Sequence, residues 1–422
     1  MQVGKRSAAL AAVCATIALT SSPAAAAPVG SNAAGCETRP QSQQTAPPGL
    51  VPHAQTRFGL DRLQPFADGR GIRIAVIDSG VDATHPQLRG RVDAGRDFLR
   101  SAPDGRRDCN GHGTGVASLI AAQPVAGRTL RGLAPAATIV PVRVSELEAT
   151  DPNATGPAVR GESVGPREFA AAIDWAAATG PGKGNATVLN VSSTMPEDPE
   201  VRAAVRRAIA AGVVIVAAAG NEAGRGNPVP YPAAYPGVIG VGAVNQGGTR
   251  LPSSQQGGYV DVVAPGDQIL AANERRGYQL TSGTSFAAPF VAATAALIQQ
   301  RFPGLSPEQV QRRIVQTADP APGGPVSEAY GHGVLNPYRA LTETLAPADR
   351  PAARQVLPPA DPALAAAAQH ERQAWSTALL IAAAGAAAAI AVSTVAVVVR
   401  RGRRRGWRPA GTAGGSFPPP TG

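Results

Sequence analysis

A chain of 422 residues, 44% of them hydrophobic, can bury a large core, which excludes a disordered polypeptide and a small disulfide-stapled scaffold. The formal charge of +10 does not describe a nucleic-acid-binding face: Arg400, Arg401, Arg403, Arg404, Arg405 and Arg408 crowd a tail without an acid, and Lys5 and Arg6 lie at the other end. The size suits one α/β domain of about 290 residues with appendages.

Residues 1–27 combine a basic start, an Ala-rich apolar run and small residues at Ala24 to Ala27, the pattern of a secretory signal peptide. Cys14 lies inside that run, and Ala11-Ala12-Val13 before it lacks the small residue of a lipid-attachment site. Export leaves Cys36 and Cys109 in an oxidising compartment, where an even number of cysteines reads as a disulfide, with two free buried thiols as the alternative. Such a bridge would staple residues 28–56, a Pro- and Gln-rich extension, to the chain just before His112. Closing that loop is worth ~4 kcal/mol by chain entropy.

From residue 57 onward, apolar runs at 72–77, 138–144, 187–191, 213–218 and 238–244 alternate with helical patterns at 116–121, 169–178 and 201–211. Continuous β-branched runs between helices predict an α/β fold with a mostly parallel sheet covered on both faces, and functional groups past the carboxyl ends of its strands. Asp78 and Asn221 both fall there. Polar, Pro-containing residues 145–165 read as an exposed insertion loop. Asn153-Ala154-Thr155 and Asn185-Ala186-Thr187 match the glycosylation pattern, which is short enough to arise by chance.

After the domain ending at 345 comes a Pro/Ala-rich linker, 346–374. Residues 375–399 then run without a charge from Ser376 for roughly 23 residues, long enough for one membrane-spanning helix, a buried amphipathic helix being the alternative. Trp375 and Trp407 flank it, and the arginines of the tail, 400–422, mark its cytoplasmic side. The expected arrangement is single-pass, with the domain 57–345 extracellular or periplasmic.

The chemistry lies in three stretches. Gly283-Thr284-Ser285 runs into the apolar Phe290 to Ile298, so Ser285 sits at a helix N-terminus, where free N–H groups favour developing negative charge. A serine before a helix is by default an N-cap. Two further stretches change that reading: Ile74 to Ile77 is a strand ending in Asp78, and Asn110-Gly111-His112-Gly113-Thr114 places a histidine at the mouth of another helix. A serine nucleophile needs a base, and the base needs a buried carboxylate to hold its tautomer. Asp78, His112 and Ser285 supply these roles in the order Asp, His, Ser.

Together with Ala218-Ala219-Gly220-Asn221, these blocks resemble the subtilase family of serine proteases over roughly 57–345. The resemblance implies a subtilisin-like fold and peptide-bond hydrolysis, with Asn221 donating to the oxyanion. Asn190-Val191-Ser192-Ser193-Thr194 resembles the segment that pairs with an extended substrate, making Asn190, Ser192, Ser193, Thr194 and Gly220 candidate substrate-binding residues. Ser193-Thr194 departs from the Leu-Gly or Gly-Gly type sequence of many relatives, which implies bulkier, polar walls and a narrower cleft. Tyr330 to Pro337 resembles the closing turn of such domains. No HExxH or CxxC spacing occurs and His53, His85, His332 and His370 stand alone, so neither a cofactor nor a catalytic metal is expected; a structural calcium stays open.

Strap, peptidase core, single helix and basic tail together resemble the mycosins, membrane-anchored subtilases of type VII secretion systems. This resemblance implies polypeptide substrates emerging from the membrane, and a second role in stabilising the secretion membrane complex. Many mycosins carry a second cysteine pair, which this chain lacks. The alternatives are a mainly structural subunit stabilising that complex, whose protease fold matters more than its activity, and a generic surface-tethered degradative subtilase.

Overall fold

The computed structural model describes residues 49–149, 159–160, 162–274, 277–345, 392–402 and 404, and divides into units 1–345 and 346–422. The first unit contains, in chain order, α1 (His53–Phe58), α2 (Leu60–Leu63), β1 (Arg73–Asp78), β2 (Arg96–Asp97), α3 (His112–Ala121), β3 (Thr138–Arg143), β4 (Glu148–Ala149), β5 (Val159–Arg160), α4 (Pro166–Ala177) and β6 (Val188–Val191). There follow α5 (Pro199–Ala210), β7 (Val214–Ala218), β8 (Val238–Val244), β9 (Val262–Pro265), β10 (Ile269–Ala272), β11 (Tyr278–Thr281), α6 (Thr284–Arg301), α7 (Pro307–Gln316) and α8 (Pro337–Thr342).

Seven strands form one sheet in the order β2-β3-β1-β6-β7-β8-β9, with every pairing parallel. Alternate residues feed two cores. Ile74 and Val76 of β1 point to the face carrying α3 and α6, and Ala75 and Ile77 to the face carrying α4 and α5. The α5 helix shows how the outer layer is written: Asp198 caps it through the N–H groups of Glu200 and Val201, Pro199 opens it, and only Val201, Ala204, Val205 and Ala208 are buried. The α6 helix is the opposite kind. Thr284 through Ile298 are all buried, and a helix apolar on every side belongs inside a core, where truncating Leu297 or Ile298 to Ala costs ~2–5 kcal/mol.

Two expectations need correction. The expected boundary at 56 falls inside α1, whose Ala54 and Phe58 are buried; the Phe58 ring lies 5.1 Å from that of Phe290 of α6, tilted by 60°, and His53 Nε2 meets the Asp267 carbonyl at 2.7 Å. Residues 145–165 are not a plain loop either. Ser145 bridges Ser163 and β4 pairs antiparallel with β5, a ribbon growing from the carboxyl end of β3; its tip, 150–158, lies outside the described residues.

In the second unit, residues 392–402 are helical with Val392, Val395, Val397, Val398 and Val399 exposed. Among the described residues no helix is long and apolar enough to cross a membrane. The expected span begins at 375, and its stretch 375–391 lies outside them, as do the signal peptide, Cys36, the strap up to 48 and the linker.

Candidate active site

Central strand β1 delivers Asp78 to the carboxyl edge of the sheet, where it is 3% exposed. Its Oδ1 accepts from His112 Nδ1 at 2.7 Å and from the Ser79 N–H at 2.7 Å, while buried Oδ2 has no partner among the described residues. His112 is the first residue of α3. Its ring packs at 4.9 Å against Phe286, which places the imidazole beside the start of α6. Burial works against a charged imidazolium, but the Asp78 charge, the Asp78 hydrogen bond and the Asp108 charge outweigh it, leaving the His112 pKa above its ordinary value. The ring keeps 23% of its side-chain exposure, so desolvation is incomplete and the carboxylates win.

Gly111 precedes His112 with φ +80°, and a Cβ there would sit 1.7 Å from Asn273 Oδ1 and 2.1 Å from Glu274 Oε2; only glycine fits this approach. Ser285 is 6% exposed in the first turn of α6. Pro289 lies inside that helix and has no N–H to give the Ser285 carbonyl; that carbonyl accepts instead from Ser192 Oγ at 3.4 Å.

Asn221 follows β7 and turns its Oδ1 toward α6, accepting from the Thr284 N–H at 2.9 Å and Thr284 Oγ1 at 3.2 Å. The Asn221 amide and the Ser285 hydroxyl flank the same backbone: a Cβ built on Gly283 would lie 3.2 Å from Asn221 Nδ2, 3.5 Å from Asn221 Oδ1 and 3.5 Å from Ser285 Oγ, and with Oδ1 held by Thr284 the Nδ2 hydrogens are left to donate elsewhere. Among the described residues no acceptor reaches the Ser285 N–H. One side-chain donor and one helix-end donor thus converge where a carbonyl attacked by Ser285 would become an oxyanion.

The five expected substrate-binding residues separate. Ser192 and Ser193 are half-buried and Thr194 exposed along the chain leaving β6. Asn190 is fully buried and donates to Ser192 Oγ at 2.9 Å, and Gly220 spends its N–H on Thr284 Oγ1 and its carbonyl on the Gln255 N–H. Asn190 Oδ1 keeps no hydrogen-bond partner among the described residues, while both backbone groups of Gly220 are engaged. Cys109 is buried and disulfide-bonded, while its expected partner Cys36 lies outside the described residues.

Sequence reasoning missed two residues here. Asp108 is buried behind the acid and base, and Arg143 at the end of β3 is buried against the Ser79 carbonyl, Asp97, Glu146 and Cys109 Sγ. The only signal for Asp108 was an acid shortly before the histidine in Asp-Cys-Asn-Gly-His; for Arg143 there was none, since an arginine closing a strand ordinarily reads as exposed.

The subtilase family model matches residues 69–333. Mycosin-1 of Mycobacterium tuberculosis is 35% identical over 358 residues, 73% of this chain and 77% of that protein. Subtilisin E of Bacillus subtilis is 36% identical over 271 residues, 64% of this chain and 65% of that protein. Among solved structures, MycP1 from Mycobacterium smegmatis is similar with a TM-score of 0.59 and 28% identity, covering 71% of this chain and 87% of that one. The MycP3 protease from the type VII (ESX-3) secretion system gives 0.57 at 31% identity, with coverages of 71% and 90%.

Proposed function

From the premise that the chain belongs to the subtilase family and is a serine endopeptidase, we propose that it is a membrane-anchored protease of the mycosin type, cutting exported polypeptides beside a type VII secretion complex. The observation that carries this reading is the reach of the likeness: the match to Mycosin-1 covers 73% of the chain, whereas that to subtilisin E stops at 64%. The signal peptide at 1–27, the uncharged run at 375–399 and the arginine tail supply the tether, and a Cys36–Cys109 bridge fixes the strap.

In the hydrolytic step, Asp78 occupies His112 Nδ1, which leaves Nε2 as the basic nitrogen that takes the Ser285 proton. The Ser285 oxygen adds to the scissile carbonyl, and the oxyanion forms against Asn221 Nδ2 and the Ser285 N–H. His112 then returns its proton to the leaving amine. Water repeats the sequence on the acyl-enzyme. The chain 192–194 leaving β6 supplies the edge along which an extended substrate lies, and the polar side chains of Ser193 and Thr194 restrict it to few sequences. Tethering raises the local concentration of emerging polypeptide, which suits a selective protease without tight binding.

The test separates chemistry from tether. Cells carrying Ser285→Ala are expected to keep exporting and to accumulate uncleaved substrate, whereas deletion of 375–422 impairs export or assembly of the secretion complex. Normal secretion and processing after complete deletion would overturn the mycosin reading and return the protein to surface degradation.

A further inference from the structure

Behind the Asp78–His112 pair lies a second buried carboxylate that the hydrolytic mechanism does not use. Asp108 Oδ1 accepts from Ser79 Oγ at 2.9 Å and from the N–H groups of Asn110 at 3.2 Å and Gly111 at 3.0 Å. Its Oδ2 accepts from the Thr114 N–H at 2.8 Å and Thr114 Oγ1 at 2.6 Å. Ser79 relays the hold: its Oγ accepts from the Gly113 N–H at 2.9 Å, and its own N–H donates to the catalytic-site Asp78. Thus one carboxylate pins the residues on both sides of His112 and, through Ser79, the strand end that presents Asp78.

We propose that Asp108 is a positioning residue for peptide hydrolysis, a second ionised carboxylate that fixes the N-terminus of α3 and adds its charge to that of Asp78 in setting the basicity of His112. The proposal rests on the assignment of His112 as the base. Three backbone N–H groups aim at the two oxygens and favour the ionised form, since a neutral acid could place its proton only on the Ser79 or Thr114 hydroxyl, turning that hydroxyl away. Burial, with the nearby Asp78 charge, leaves the Asp108 carboxyl above its ordinary range, and the Thr114 and Ser79 hydrogen bonds offset only part of that rise. The charged groups around His112 are Asp78 from β1, Asp108 from its own loop, Glu274 from the β10–β11 hairpin against Gly111, and Arg143 from β3, whose guanidinium reaches the Ser79 carbonyl and Cys109 Sγ. Arg107 lies in the same loop, its carbonyl against Gly80. Phe286 closes the α6 side without charge.

The sign follows from Coulomb's law. Removing a negative charge near His112 disfavours the imidazolium and lowers its pKa, so the acidic limb of kcat/KM moves to lower pH. In full-length Asp108→Asn, kcat is expected to fall ~10–100-fold, taking the scale known for groups that orient metal-bound histidines, with KM changed by less than about twofold. The acidic limb should move down by about half a pH unit or more, and Asp108→Glu should restore the limb while kcat stays low. A limb that stays in place, or a loss matched entirely by a smaller folded fraction, would reduce Asp108 to a structural residue and overturn the proposal. Where Asp108→Asn does not fold, Ser79→Ala replaces it: cutting the relay to Gly113 should lower kcat with KM kept, and wild-type kcat would overturn the idea. Ser285→Ala run alongside separates the failures, because full activity there would remove the underlying mechanism instead.

Discussion

Two helix N-termini meet at the candidate site and are finished in opposite ways. At the start of α3 every early donor is taken: the His112 N–H by Asn110 Oδ1 at 3.0 Å, Gly113 by Ser79 Oγ, and Thr114 by Asp108. At the start of α6, Thr284 is held by Asn221, Phe286 turns back to the Gly283 carbonyl, and among the described residues the Ser285 N–H has no acceptor. A buried carboxylate, Asp108, sits at one helix end and the place for a transient negative charge at the other. The difference follows from the tasks. A base must hold one orientation and be easy to protonate, so its helix end is saturated and anionic. A nucleophile's helix end must bind charge only in the transition state, so a donor is kept vacant there.

The contrast breaks most completely at Ser285. Purified Ser285→Ala should lose kcat by ~10⁶-fold, the scale known for subtilisin, with an unchanged unfolding temperature, since only a hydroxyl is removed; measurable wild-type turnover would refute the nucleophile. Next comes Asn221→Ala, which deletes the side-chain donor opposite the vacant N–H. A drop of ~10²–10³ in kcat is expected, again the subtilisin scale, and equal losses in kcat and substrate affinity would contradict a transition-state role. Asn221 Oδ1 also holds Thr284, so Asn221→Asp, which keeps that acceptor but not the donor, should fall at least as far.

The α3 side is read through pH. Because Asp78 and Asp108 hold the His112 pKa above its ordinary 6.5, the acidic limb of kcat/KM should have its midpoint above that value, with activity rising as the imidazolium loses its proton. A midpoint at or below 6.5 would mean that burial wins. The smallest effect is expected at Ser192→Ala. It strips the Ser285 carbonyl of the hydroxyl that replaces the missing Pro289 N–H, and an unsatisfied carbonyl costs ~1 kcal/mol, or about fivefold in kcat if it is expressed in the position of Ser285. A loss as large as that of Asn221→Ala would show that Ser192 does more than support the turn.

The sequence by itself determined the parts of this protein that are written in short-range patterns. Continuous Val, Ile and Ala runs at β1, β3, β6, β7 and β8 announced a parallel sheet buried on both faces, because period and burial are local properties of a strand. Asp78, His112, Asn221 and Ser285 were legible because each sits at a strand end or helix start marked by glycine. Tertiary structure decided what depends on contacts between distant segments. It tied Asn190 to Ser192 and Gly220 to Thr284, seated Phe58 of α1 against Phe290, and raised a ribbon from residues that read as a loop. It also took Asp108 and Arg143, charged residues that any local reading leaves in water, and buried them under the site. Burial of a charge is tolerated only where its partners converge, and for these two they converge from β1, β3 and the loops around α3, which no single stretch of sequence displays.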